Sequence, residues 1–183
     1  MINLYFVNTK NTNYYSQIFQ SYLLGKYLNL EEDKIKILRD KYGKPFLKDK
    51  PNIYFNVSHT IDAIICAISK ELIGVDIERV KPFNIKITQR YFTKQEQDYI
   101  FSNKEKQEER FAEVWTRKEA YVKWIGKGTD IFFQSFDVLT EKNIFSFKFK
   151  DYFISLCSNY FILGKPKKLL NFKEISKESL FKN

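Results

Sequence analysis

Asp76 and Glu78 lie two residues apart in the run Ile73-Gly74-Val75-Asp76-Ile77-Glu78-Arg79, and Trp115, Glu119 and Lys123 recur at every fourth residue between Trp115 and Gly128. In an extended segment side chains alternate between faces, so Gly74, Asp76 and Glu78 share one face while Ile73, Val75 and Ile77 share the other. Two carboxylates held side by side repel unless a proton or a cation compensates them. A solvated strand with Arg79 and Lys81 nearby is the plain alternative, although such a surface more naturally interleaves opposite charges. Oxygen donors of this kind suit Mg²⁺, which binds through a few carboxylates together with substrate phosphate and water. On a helix, Trp115, Glu119 and Lys123 would line one face about 5.4 Å apart, a face able to hold both a cation and an anion. A surface Glu119/Lys123 ion pair would account for the same spacing.

Three more places carry polar groups with chemical potential. Ser58-His59-Thr60 closes a strand-like alternation, and His59 is the only histidine of the chain, with no carboxylate neighbour to complete a nucleophilic triad. Lys44 sits in the turn Tyr42-Gly43-Lys44-Pro45, where a solvated turn lysine needs no ligand. Glu96 closes Thr93-Lys94-Gln95-Glu96, a capping box in which Thr and Glu satisfy each other's free amides, and this structural job alone explains it.

The elements that must position these groups follow from periodicity. Met1 to Asn8 reads as a strand, and Tyr14 to Leu28 as a helix with Tyr15, Ile18, Phe19, Tyr22 and Leu23 on one stripe. Strands are expected over Lys34 to Leu38, Asn52 to Ser58, Asp62 to Ile68 and Leu72 to Val80. Pro82 marks a boundary. Beyond it come a helix from the capping box, a charged connector over Asp98 to Arg110, and the helix carrying Trp115, which should stop at Gly126 because glycine accepts the left-handed conformation. Phe145, Phe147 and Phe149 alternate with Ser146, Lys148 and Lys150 in a strand, Tyr152 to Leu156 returns, a short strand or turn follows at Tyr160 to Leu163, and the lysine-rich tail from Lys165 is expected to pack loosely. Helix-then-strands before Pro82 and again after it predicts an α+β fold of two similar lobes, residues 1–80 and 81–183, with the site in the cleft between them.

The 183 residues, 44% hydrophobic and 17% aromatic, suffice for a real core and exclude a disordered or fibrous chain. No run is long and apolar enough to span a bilayer and no signal peptide opens the chain, so a cytoplasmic protein is expected; a monomer is expected as well. Cys66 and Cys157 lie in apolar strands without a CxxC partner and are expected to be free buried thiols. The net charge of +9 invites an acidic partner, whether nucleic acid, a phosphorylated ligand or an acidic protein, and composition does not choose among them.

Ile73 to Val80 (IGVDIERV), followed later by Phe111 to Gly128 (FAEVWTRKEAYVKWIGKG), resembles the paired signature of the 4′-phosphopantetheinyl transferases. YGKPFL, FNVSHT and YFTKQE fall in the order expected of the broad-specificity, Sfp-type branch, so the likeness spans Tyr42 to Gly128. The resemblance implies a pseudodimer of two α+β lobes with coenzyme A bound between them and Mg²⁺, or Mn²⁺, on its pyrophosphate. It implies that Asp76, Glu78 and Glu119 hold the metal, that Lys123 meets the phosphate and assists catalysis, that Glu119 takes part in proton transfer, and that Lys44, Ser58 and His59 grip the nucleotide. Glu96 matches an acidic position assigned to the metal shell or to a base. The implied reaction moves the phosphopantetheine arm to a serine of an acidic apo acyl or peptidyl carrier protein. One departure stands out: Ser21 and Tyr22 precede Leu23-Leu24-Gly25 where the family carries an arginine, leaving Lys26, Lys44 and His59 for the nucleotide. Two other readings remain open, a coenzyme A-binding protein without transfer activity and a basic nucleic-acid binder using the lysines and aromatics of Phe145 to Lys150.

Overall fold

Alternating burial along the first strand, β1 (Ile2–Asn8), sends Ile2, Leu4 and Phe6 to one face and Val7 to the other, so both faces must be covered. The computed structural model describes residues 1–128, 132–163 and 166–181. Helix α1 (Thr12–Leu28) covers one face with Phe19, Leu23 and Leu24, as its stripe predicts. A small hairpin follows, β2 (Ile37–Arg39) with β3 (Pro45–Leu47), turning at Gly43 with φ 83°. Next come β4 (Tyr54–His59), β5 (Ala63–Ser69) and β6 (Gly74–Arg79). Helices α2 (Ile85–Tyr91), α3 (Lys94–Phe101) and α4 (Gln107–Ile125) lead to the hairpin of β7 (Ile144–Phe149) and β8 (Tyr152–Cys157), and β9 (Leu170–Glu174) ends the sheet structure.

Besides the two-stranded β2-β3 hairpin, the described strands form two sheets, one ordered β4-β5-β1-β9 and one ordered β6-β8-β7. Their apolar faces meet: Ile2, Leu4, Phe6, Ile65 and Ala67 from the first join Val75, Ile77, Ile154 and Leu156 from the second in one buried cluster. Helix α1 closes the far side of the first sheet, and α4 with α3 closes the far side of the second, through Val114, Ala120, Ile100 and Cys157. The α+β class therefore holds. Cys66 and Cys157 are both buried and free, and burial pushes both thiols up, as suits inert core residues.

Several expectations need correction. The tail does not pack loosely: residues 170–174 pair in parallel with β1, Leu4 opposite Phe172. Lys165, the start of the expected loose tail, lies outside the described residues. Strand β2 begins at Ile37 rather than Lys34, because Glu32–Lys34 forms a 3₁₀ turn. Of the strand or turn expected at Tyr160 to Leu163, the structure has the turn, a 3₁₀ turn within Asn159–Leu163. Helix α2 goes unannounced by its β-branched residues; Asn84 starts it by accepting a hydrogen bond from Lys86 N. Phe145, Phe147 and Phe149 pack against the inter-sheet core and against Phe161 and Phe172, so they offer no stacking surface for bases. No helix among the described residues is long and apolar enough to cross a membrane.

Candidate active site

Gly74 brings the two halves of the sequence signature together. A Cβ at this position would fall 2.0 Å from the Ala120 carbonyl oxygen and 2.5 Å from Trp124 N, so only glycine lets the backbone of α4 settle onto β6. The face of β6 that carries Gly74 also carries Asp76, and the helix residues flanking Ala120 on this approach are Glu119 and Lys123. Helix α4 stops at Gly126, φ 74°, as expected.

Asp76 is the hub. Its Oδ1 accepts a 2.5 Å hydrogen bond from Ser58 Oγ and a 2.6 Å charge-assisted bond from Lys123 Nζ, and Lys123 also donates to Ser58 Oγ at 2.9 Å. Burial pushes the Asp76 carboxyl up, opposed by the Lys123 ammonium and the Ser58 hydroxyl. Glu119, half-buried one turn before Lys123, has no hydrogen-bond or ion-pair partner among the described residues. Burial first, then the charge of Asp76, raises its pKa to about 7, with Lys123 pulling the other way. Glu78 points the same way from β6 and accepts from Thr60 Oγ1 at 3.2 Å and from Lys81 Nζ at 2.9 Å.

These groups line a cavity of about 280 Å³ together with His59, which is exposed at the end of β4. Glu119, Lys123, Trp115 and Val57 also line a second, adjoining cavity of about 640 Å³ that reaches Arg39, Tyr42 and Lys44 at one end and Tyr91 and Phe133 at the other. Tyr91, Trp115 and Phe133 stand 5.8 to 6.0 Å apart centroid to centroid and form an aromatic corner. Lys44 caps α4, donating to the Lys123 carbonyl at 2.6 Å and the Trp124 carbonyl at 3.1 Å, and burial lowers its pKa to about 8.

Glu96 stands elsewhere. Its capping box with Thr93 is complete, its Oε1 accepts from Val138 N at 2.9 Å, and its Oε2 meets Lys118 Nζ at 3.0 Å with neither side chain exposed. It lines neither cavity of the site.

Asp76, Glu78 and Glu119 offer carboxylate oxygens to the smaller cavity, which fits a hard divalent cation, and Glu119 has no ion-pair partner among the described residues. As the side chains stand, no three His, Cys, Asp or Glu among the described residues form a group able to hold a metal; Lys123 answers the charge of Asp76 instead.

A family model described as the 4′-phosphopantetheinyl transferase superfamily matches residues 72–162, and one described as 4′-phosphopantetheinyl transferase, N-terminal, matches residues 3–71. The chain belongs to the 4′-phosphopantetheinyl transferase superfamily. Among curated relatives it is 35% identical over 117 residues to the 4′-phosphopantetheinyl transferase Sfp of Bacillus subtilis, covering 63% of this chain and 52% of that one. It is 38% identical over 138 residues to the 4′-phosphopantetheinyl transferase gsp of Aneurinibacillus migulanus, covering 72% and 56%. With ffp of Bacillus subtilis the identity is 36% over 117 residues, 63% and 52% covered. The chain spans about half the length of the curated relatives it matches. These relatives support the Sfp-type branch of the superfamily.

Of the residues singled out from sequence, the junction gathers Ser58, Asp76, Glu119 and Lys123, with Glu78 and His59 at the rim of the smaller cavity and Lys44 at the far wall of the larger. Sequence reasoning missed Asn56 and Thr60, whose polar alternation with Ser58 was the available signal, and the steric demand on Gly74.

Proposed function

We propose that the chain transfers the 4′-phosphopantetheine arm of coenzyme A to a serine of an apo acyl or peptidyl carrier protein and releases adenosine 3′,5′-bisphosphate. The observation that carries this reading is the Ser58–Asp76–Lys123 cluster, with the elevated Glu119 beside it, at the meeting point of two cavities in a chain of this superfamily. In our reading the two lobes of a pseudodimer follow the two sheets and not the expected division into residues 1–80 and 81–183, because β6, before Pro82, pairs with β8 and β9, after it, pairs with β1.

The serine oxygen attacks the β-phosphorus of coenzyme A, the bond from that phosphorus to the bridging oxygen breaks, and the serine proton must go to a base. Glu119, which lines both cavities and has no hydrogen-bond or ion-pair partner among the described residues, suits that role directly or through a water. Lys123 can swing its ammonium from Asp76 to the pyrophosphate and neutralise charge on the leaving group. Asp76, Glu78 and Glu119 would hold Mg²⁺ or Mn²⁺, which supplies charge neutralisation on the pyrophosphate when bound. Lys44 spends two of its three protons on the α4 carbonyls and keeps one for a phosphate, with Arg39 nearby. Ser58 gives its single proton to Asp76, so toward a nucleotide it acts as an acceptor unless it turns. His59 is free to reach a phosphate. Glu96 is left out of the reacting set, since both its oxygens are engaged away from the cavities. A net charge of +9 complements an acidic carrier.

Incubation with apo carrier proteins of fatty-acid, polyketide and peptide type, coenzyme A and Mg²⁺, followed by mass spectrometry, tests this. A carrier mass gain of one phosphopantetheine arm that chelation with EDTA abolishes is expected. Coenzyme A binding without a mass gain on any carrier would leave a binding protein instead.

A further inference from the structure

Strand β4 bonds through its backbone to β5 alone, and β6 to β8 alone, so β4 and β6 are edge strands of different sheets. Three alternate residues of β4 and the turn after it nevertheless reach β6. Asn56 Oδ1 accepts from Val75 N at 2.9 Å, Ser58 Oγ donates to Asp76 Oδ1 at 2.5 Å, and Thr60 Oγ1 donates to Glu78 Oε1 at 3.2 Å. Asn56, Ser58 and Thr60 are all buried, between 5% and 7% exposed. Side chains at i, i+2 and i+4 of an extended segment share one face, so the three form a polar ladder that replaces the missing backbone ladder rung by rung. The first rung satisfies an edge N–H that would otherwise be buried without a partner. The other two end on carboxylates.

We infer that Asn56 and Thr60 are positioning residues: Asn56 sets the height of β6 against β4, and Thr60 aims Glu78 as Ser58 aims Asp76. This rests on the reading of Asp76 and Glu78 as carboxylates of a divalent-metal site. A hydroxyl that donates to one carboxylate oxygen fixes which oxygen is left for a ligand, and outer partners of this kind commonly tune metal affinity 10- to 100-fold. Lys81 Nζ and the Arg79 amide meet the same Oε1 of Glu78, so Thr60 is the third donor on that oxygen and the one that ties it to the turn after β4, with Oε2 left for a ligand. Thr60→Val keeps the shape of the side chain and removes only the donor.

The test titrates Mn²⁺ into the full chain with coenzyme A present, counting free Mn²⁺ by its electron paramagnetic resonance signal, alongside a thermal melt of each variant. Thr60→Val should weaken Mn²⁺ binding about tenfold with little change in melting temperature, and Thr60→Ser, which restores the hydroxyl, should recover most of the loss. Asp76→Asn is the reference. If Asp76→Asn abolishes binding while Thr60→Val binds as wild type does, or if Thr60→Ser binds no better than Thr60→Val, the ladder has no positioning role. If wild type takes up no Mn²⁺, or Asp76→Asn binds unchanged, the metal reading itself falls and this inference falls with it.

Discussion

Lys118 Nζ lies 3.0 Å from Glu96 Oε2 with both side chains fully screened from solvent, and the pair holds the inner end of a cavity wall. The ammonium spends its remaining protons on the Phe133 and Phe136 carbonyls at 2.6 and 2.8 Å, and Glu96 also accepts from Val138 N. Every donor of Lys118 is thus used, and burial lowers its pKa against the opposing pull of the Glu96 carboxylate. The segment so tethered presents Phe133 to the larger cavity.

Breaking this pair from one side should be costly. Lys118→Met leaves a buried carboxylate and two carbonyls unmatched, and we expect a loss of about 3 to 5 kcal/mol in urea denaturation. Adding Glu96→Gln to Lys118→Met should cost less than the sum of the singles, with a coupling above about 1 kcal/mol. Strict additivity would mean that the two side chains do not meet.

Glu119 should report its own discomfort through pH. Its folded pKa of about 7 lies above the ordinary glutamate value, so between those two pH values the native state holds a proton that the unfolded chain has released. Stability therefore falls as pH rises through that window, and the penalty is complete above about pH 7. Glu119→Gln should be more stable than wild type at pH 8 without metal, by about 1 to 2 kcal/mol after allowing for the solvent that reaches a half-buried group, and no more stable at pH 4. The same substitution should lower the transfer rate by roughly two to three orders of magnitude. Equal stability at both pH values would show that Glu119 is not strained.

At Gly74 the prediction is steric. Gly74→Ala places a methyl 2.0 Å from the Ala120 carbonyl oxygen, a backbone atom that cannot step aside without moving α4. A destabilisation of about 3 kcal/mol or more is expected from equilibrium unfolding. A variant within about 0.5 kcal/mol of wild type would mean that helix and strand lie further apart.

Local signals made much of this legible in the sequence. The alternation of Val75, Asp76, Ile77 and Glu78, the spacing of Trp115, Glu119 and Lys123, the capping box at Thr93 and the stop at Gly126 are all read within a few residues, where side-chain direction follows from backbone geometry alone. What escaped depends on distant partners. Nothing around Leu170 to Glu174 announces that β1, so far away in sequence, is its neighbour, and the run is only five residues long and follows the lysines at 165, 167 and 168. Lys44 reads as a turn lysine because its two acceptors belong to α4. Asn56 and Thr60 read as strand and turn polars, because the strand they hold lies in another sheet.

The parallel pairing of β9 with β1 also fixes an order in time. A chain is made from its first residue onward, so β1 can pair with β5 while synthesis continues, yet its other edge waits until residues 170–174 have emerged. Leu170 and Phe172, which pack against the inter-sheet core, arrive with that strand. The sheet that carries Ser58 and His59 therefore cannot be complete before that strand has been made, and its closure is a contact of long sequence separation, the kind that slows folding.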